Sequence, residues 1–383
     1  MIDAVPSRPF MIDVPQAVLD DLRHRLAATR WPEPIPGAGW DYGTNIAFIR
    51  DLCDYWRDGY DWRDHERKLN RYPGFMAEVD GVDIHFWHVK GRGRHPFPLM
   101  LIHGWPGSIF EFYPLLDRLT DPASHGGTAD DAFDVVVPAL PGFGWSGKPR
   151  ERGWGITRIA RAFDTLMTSE LGYPRYGVQG GDWGGIISAK MGSMHAAHLA
   201  GVHLNFVTDR IPAPESTSDT AEQAAIEARN AFQARETGYS NVQATKPDSL
   251  TVAQTDSPAG LAAWVIEKFR TWSDCGGDVL TAFSKDDLLT NLMFYWAPSS
   301  IASAARIYYE ATRDPSAFSY PRVEVPTGVA VFPAEPWRVP RRWADPRFNI
   351  TRWTELEEGG HFAALEQPAL LSEEIRAFFA TVR

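Results

Sequence analysis

Cysteine is almost absent: Cys53 and Cys275 are the only two among 383 residues, and they lie in separate segments. That excludes a disulfide framework and a cysteine-based metal site, and both are expected to be reduced thiols. Also missing is any window near the ~20 uninterrupted apolar residues that a membrane-crossing helix needs. Residues 1–10 carry Asp3 and Arg8 where a signal peptide would be apolar, so a cytoplasmic protein is expected. Positive charge is short as well. With 38 Lys plus Arg against 49 Asp plus Glu, the formal net charge of −11 repels phosphate backbones and anionic lipid, and nucleic acid is not an expected partner. Internal repeats and low-complexity tracts are lacking too, which argues against a solenoid or a disordered chain.

The composition that is there, 44% hydrophobic and 23% charged, fits a packed globular fold. The length exceeds one ordinary domain and suits a catalytic core with one or two elaborations. Residues 1–95 are rich in Trp and Pro and hold one amphipathic helix signal at 14–22, where Val18, Leu19 and Leu22 share a face. The rest of this segment reads as largely irregular, with Trp31, Trp40, Trp56 and Trp62 expected to pin it onto a larger body. Asp80-Gly81 between alternating runs predicts a hairpin turn opening a sheet.

Beyond it, short apolar runs at 98–102, 133–138, 176–179, 200–207 and 325–332 alternate with helical stretches. This pattern predicts an α/β fold with a mostly parallel central sheet flanked by helices. Between 209 and 322 the strand runs stop and helical stretches at 221–235, 261–269 and 285–296 dominate. The expected organisation is an N-terminal wrapping segment (1–95), a first core part (96–208), an inserted helical cap (209–322) and a second core part (323–383).

Gly180-Gly181-Asp182-Trp183-Gly184 stands between an apolar strand and a helical run, as in the nucleophile elbow of the α/β-hydrolase fold. Small residues flank the nucleophile there because the turn is tight and strained. The residue at the bend is ordinarily Ser; here it is Asp182. A carboxylate is already anionic at neutral pH, so it attacks a saturated carbon without first losing a proton, leaving an alkyl ester on the chain. Displacement at carbon, as in epoxide opening or halide removal, is the chemistry that follows.

His103-Gly104-Trp105-Pro106-Gly107 follows the strand run ending at Ile102, where this fold completes its oxyanion hole. The backbone N–H groups of Trp105 and Trp183 are the two expected donors. Glu358-Gly359-Gly360-His361-Phe362 comes late in the chain, as the base must, and its glycines let the His361 ring reach a cleft. Glu335, at the end of the last apolar run before it, is the expected partner that orients His361, with Asp345 in reserve. His195 and His198, three apart on a helix, form at most half a metal site because the sequence sets no third ligand beside them. His85, His88 and His203 read as strand residues.

Together these residues resemble the microsomal type of epoxide hydrolase, the family of the mammalian microsomal, insect juvenile-hormone and fungal enzymes. The resemblance runs over nearly the whole chain. Tyr60-Asp61-Trp62-Arg63, His65-Glu66, Leu69-Asn70 and Tyr72-Pro73 are similar to the family's N-terminal region, and 140–146 to a loop that follows a core strand. Glu236-Thr237-Gly238-Tyr239 with Gln243 and Thr245-Lys246-Pro247 resembles the segment holding one epoxide-binding tyrosine. Ser300-Ile301 and Arg306 align Tyr308 with the other, leaving Tyr309 as its neighbouring alternative. The resemblance implies that Tyr239 and Tyr308 hold the epoxide oxygen, that Glu335 occupies the charge-relay position and His361 the base position, and that no metal or organic cofactor is needed. It also implies a homodimer acting on a small-molecule epoxide. The N-terminal membrane anchor of the mammalian enzyme has no counterpart in this sequence. Two rival functions fit part of the pattern: a haloalkane-type dehalogenase, which needs halide donors in place of the tyrosines, and a non-catalytic protein that binds an apolar ligand under the cap.

Overall fold

Apolar runs bounded by Gly, Pro and Asp form the strands of one sheet in the computed structural model, which describes residues 7–207, 211, 214, 217–319 and 321–383. The expected cap start at 209 and residues 1–6 lie outside these. The strands are β1 (Arg8–Phe10), β2 (Gly74–Val79), β3 (Val82–Val89), β4 (Phe97–Ile102), β5 (Phe133–Pro138), β6 (Tyr176–Gly180), β7 (Leu199–Leu204), β8 (Val323–Val331) and β9 (Phe348–Glu355). Among the described residues they make a nine-stranded sheet in the order β1-β2-β3-β5-β4-β6-β7-β8-β9. Asp80 and Gly81 both take positive φ, 53° and 77°, which a two-residue hairpin turn demands, and Val79 pairs with Val82 across it.

The pairs from β1 through β3 to β5 are antiparallel, and those from β5 through β4 to β9 are parallel. Every residue of β5 and β7 is buried, as expected of strands covered on both faces. Because β4 lies between β5 and β6, the chain leaves the ends of β4 and β6 side by side, and such an opening is where α/β sheets place their ligands.

The N-terminal segment is more regular than its Trp- and Pro-rich composition suggests. Besides α1 (Gln16–Ala27) it forms α2 (Ile46–Asp58) and α3 (Trp62–Leu69). Asn45 caps α2 by accepting the Ala47 and Phe48 amides, and Ile49, Leu52, Cys53 and Trp56 bury one face at helical spacing. Trp56 and Trp62 are buried, each removing ~200 Å² from water, while Trp31 and Trp40 are only partly covered. Buried Glu66 knits the segment together, accepting from the Val14 amide at 2.7 Å and from the Trp62 indole at 2.9 Å.

Helices α4 (Tyr113–Thr120), α5 (Ile156–Thr165) and α6 (Asp182–Met194) alternate with the central strands. Among the described residues six helices stand between β7 and β8: α7 (Thr220–Arg235), α8 (Gly238–Thr245), α9 (Pro247–Asp256), α10 (Pro258–Trp272), α11 (Lys285–Trp296) and α12 (Ile301–Arg313). After β8 come the short α13 (Arg341–Ala344), α14 (Ala363–Glu366) and the closing α15 (Pro368–Phe379), which packs on α4 and on β7 and β8. The N-terminal segment braces this helical cluster: the Thr44 hydroxyl donates to the Ala263 carbonyl at 2.6 Å and the Tyr55 hydroxyl to Asp286 at 2.8 Å. No helix among the described residues is long and apolar enough to cross a membrane.

Candidate active site

Asp182 sits at the bend where β6 passes into α6, with φ of 48°, a left-handed conformation rare for a residue with a side chain. The glycines make the bend possible. A Cβ on Gly184 would lie 1.8 Å from the Ile102 carbonyl oxygen, and one on Gly104 would lie 2.1 Å from Oδ1 of Asp182 itself. The missing side chains let β4, its following loop and the bend close on one another. Oδ1 of Asp182 then accepts the Trp105 amide at 2.8 Å. The second expected donor, the Trp183 amide, belongs to the first turn of α6, one residue past the bend.

His361 arrives from the other side, in the turn between β9 and α14. Its Nε2 lies 3.4 Å from Oδ2 of Asp182 and its Nδ1 lies 2.8 Å from Oε1 of Glu335, four residues beyond β8. The three side chains are at most one-fifth exposed. Burial works against a charged imidazole. The charge of Glu335 and the bonds to Asp182 and Glu335 outweigh it and hold the His361 pKa well above the ordinary value. Burial raises the Glu335 carboxyl, with His361 pulling it back. Asp345, the reserve acid, is exposed and paired with Arg341 instead.

Tyr239 on α8 and Tyr308 on α12 face this trio from above. Their rings stand 5.7 Å apart, nearly perpendicular; Tyr239 stacks on Trp105 at 5.0 Å and Tyr308 meets Trp183 edge to face at 4.7 Å. Burial, then the neighbouring Tyr239 and Asp182, push the Tyr308 hydroxyl well above the usual phenol range, so it is a neutral donor. Tyr309 instead lies under the guanidinium of Arg313, 3.3 Å from its ring centre. A cavity of about 200 Å³ separates the phenols from the bend, bordered by Asp182, Tyr239, Tyr308, Glu335 and His361 and closed by apolar side chains such as Phe232 and Trp337. A neutral apolar molecule with one reactive oxygen suits such walls.

Several contributors escaped the sequence reading. Trp272, at the end of α10, accepts the His361 amide at 2.9 Å and sets its ring 5.0 Å from the imidazole. Lys268, one turn earlier, pairs with Glu236 and Glu267 and holds its ammonium 5.2 Å from the Tyr239 ring centre. Glu111 and Glu366 are acids with buried surroundings near His361. Glu111 stands between Phe110 and Phe112, and that was the one signal available: an ionisable residue in an apolar run. The expectation that His195 and His198 have no third ligand is corrected. Asp164 of α5 lies 3.2 Å from His195 and 2.8 Å from His198, and the three ligand atoms fall within 4.8 Å of one another. The distance in sequence hid the partner, and a hydrogen bond from His198, with the His195 ring nearby, accounts for the contact. His85 and His203 are buried in strands, and His88 bonds the Tyr173 hydroxyl at 3.0 Å.

Comparison with known proteins finds two family models on this chain. One, described as the epoxide hydrolase N terminus, matches residues 7–112, and the other, the alpha/beta hydrolase fold, matches residues 98–257. A protein of Stigmatella aurantiaca provisionally named an epoxide hydrolase is 44% identical over 98% of this chain and 85% of its own length. Epoxide hydrolase 1 of Oryctolagus cuniculus is 36% identical over 98% of this chain and 89% of its own. Among solved structures, juvenile hormone epoxide hydrolase of Bombyx mori superposes with a TM-score of 0.91 at 30% identity, covering 100% of this chain and 95% of that one.

Proposed function

The chain belongs to the epoxide hydrolases of the α/β-hydrolase fold, and from that footing we propose that it turns an epoxide into a vicinal diol through an ester on Asp182. In this reading residues 1–95 form the N-terminal epoxide hydrolase region, 96–208 and 323–383 the core, and 209–322 the cap.

The reaction starts with Asp182 as carboxylate and His361 as imidazolium. Oδ2 of Asp182 attacks an epoxide carbon; the C–O bond opens, and Tyr239 and Tyr308 bind the oxygen as it gains charge. Esterification removes the negative charge on which the His361 imidazolium partly depends. Its pKa falls, and the proton it releases equals the one the alkoxide takes up. Neutral His361, supported by Glu335, then accepts a proton from water as the water oxygen adds to the ester carbonyl. The tetrahedral anion forms on Oδ1, within reach of the Trp105 and Trp183 amides. Collapse breaks the bond between the Asp182 carbonyl carbon and Oδ2, the new hydroxyl passes its proton to the departing oxygen, and the diol leaves with Asp182 and His361 again charged. One water is consumed and no proton is gained or lost.

The observation that carries this reading is the double contact of Asp182, Oδ1 at the Trp105 amide and Oδ2 beside His361 Nε2, beneath two phenols. A single turnover in oxygen-18 water tests it. The first diol should be unlabelled, because its oxygen comes from Asp182. Full labelling of that diol means direct attack by water and ends the proposal.

A further inference from the structure

A second, smaller chamber lies behind Asp182 and His361. Its volume is about 10 Å³, close to the least space in which one water fits. Gly104, Trp105, Glu111, Gly181, Asn205 and Phe362 are among its walls, and Asp182 and His361 are the residues it shares with the 200 Å³ cavity. The catalytic pair therefore forms a partition with a space on either side.

Glu111 is the ionisable wall of this chamber that the Asp182–His361–Glu335 chain leaves unused. It belongs to a one-turn helix, Ile109–Phe112, whose other three residues are buried. Its carboxyl bends back to where a side chain at 107 would begin: a Cβ on Gly107 would lie 1.3 Å from Oε1. The Ser108 amide bonds it. The loop beneath cannot relax, because Asn291 of α11 donates to the Pro106 carbonyl at 2.9 Å and Tyr295 donates to the Gly107 carbonyl at 2.5 Å. Burial, offset partly by His361 and reinforced by Asp182, pushes the Glu111 carboxyl up to about 8, so at neutral pH it is mostly an uncharged acid that both donates and accepts.

Once the ester forms, the alkyl group occupies the front cavity against Asp182. The attacking water must reach the ester carbonyl from a side the substrate does not fill, and within reach of His361. We propose that the rear chamber is the station of that water and that Glu111 is the residue that positions it. Water held by the Glu111 carboxyl gives its proton to His361 as its oxygen bonds to the carbonyl carbon of the Asp182 ester; Glu111 itself ends each cycle unchanged. This rests on the ester mechanism above, and the closing experiment separates the two.

Ester formation and ester hydrolysis are timed separately in single turnovers, by Trp fluorescence and by intact-protein mass of quenched samples, for Glu111→Leu, Glu111→Gln, Gly107→Ala and a His361→Gln reference. Glu111→Leu, and Gly107→Ala, which displaces the carboxyl without deleting it, should form the ester at near the native rate. Both should hydrolyse it about 10- to 100-fold more slowly, the loss expected of a misplaced reactant, with the adduct mass accumulating. Glu111→Gln, which mimics the neutral acid, should restore hydrolysis to within about threefold of native. Native hydrolysis in Glu111→Leu or Gly107→Ala overturns the proposal, as does a Gln variant as slow as Leu in both steps, which marks a structural role. If Glu111→Leu does not fold, the Gly107→Ala and Gln results decide. Absence of any adduct in His361→Gln overturns the ester mechanism and this inference with it, whereas an adduct there beside native hydrolysis in Glu111→Leu overturns the inference alone.

Discussion

The Trp105 amide donates to Oδ1 of Asp182 at 2.8 Å. In the proposed ester mechanism that bond divides the work between the two carboxylate oxygens: Oδ2, beside His361, is the one left to attack, and Oδ1 would become the ester carbonyl oxygen, already seated on a donor that its later negative charge would strengthen. Asp182→Asn keeps the shape and the Trp105 bond but loses the nucleophile. Diol formation should fall by at least about 10³-fold, with no adduct mass and with affinity for an unreactive ether analogue within a few-fold of native. Residual turnover near the native rate would assign the attack to another group.

The two phenols should act on ring opening alone. Tyr239→Phe and Tyr308→Phe are each expected to slow ester formation about 10- to 100-fold, the double variant more than either, with hydrolysis of the formed ester nearly unchanged. Tyr309→Phe, under Arg313 and outside the cavity, should leave both steps at native rates. A large loss in Tyr309→Phe and none in Tyr308→Phe would reverse the assignment.

Glu335→Gln removes the neighbouring charge that raises His361. Ester hydrolysis should slow by about 10²- to 10⁴-fold. The imidazole also loses its proton more readily, so the acid limb of the hydrolysis profile should move to lower pH. An unmoved limb would show that Glu335 does not act through His361.

Stability should depend on pH in a stated direction. Glu111 and Glu366 have folded values pushed by burial from 4.5 up to about 8 and about 7, and His361 is held well above 6.5. In each case the folded chain binds more protons than the unfolded chain between the two values, so stability is fully present below the unfolded pKa and is lost as pH rises through the folded one. Below about pH 6.5 the buried imidazoles of His85, His88, His103 and His203, held near 3 to 4 in the fold, work in the opposite sense, so the decline in melting temperature should appear from about pH 7 toward pH 8. Glu111→Gln should melt higher than the native chain at pH 8, by a margin that shrinks toward pH 4.5. A margin that is constant with pH would mean Glu111 ionises normally in the folded state.

Much of this was legible because backbone geometry forces residue type. A bend that tolerates no Cβ at 184 or 104 writes glycines around Asp182, and short buried strands write apolar runs, so 133–138 and 285–296 coincide with β5 and α11. What stayed hidden depends on packing. Tyr308 and Tyr309 are adjacent on one helix, and only the neighbouring elements decide which faces the cavity. The α2 pattern of Ile49, Leu52, Cys53 and Trp56 is plain once seen, yet surrounding Pro and Trp residues masked it. Glu111 shows in the sequence only as an acid among apolar neighbours, and its place beside the catalytic pair emerges when the loop folds back over Gly107; Asp164 meets His195 and His198 only because α5 packs on α6.

The turn after α10 is sewn to the turn that carries His361. The Trp272 carbonyl takes the His361 amide, the Asp274 carboxylate takes the Gly359 amide at 3.0 Å, and the Asp274 amide bonds Glu366 at 2.7 Å. A roof nailed to the base at that corner cannot lift there without dragging the imidazole out of line. The other walls that α7 and α8 give the cavity, Phe232, Ser240 and Asn241, carry no such tie to the His361 turn among the described residues. Under the proposed mechanism, a product leaving past them would not disturb the catalyst.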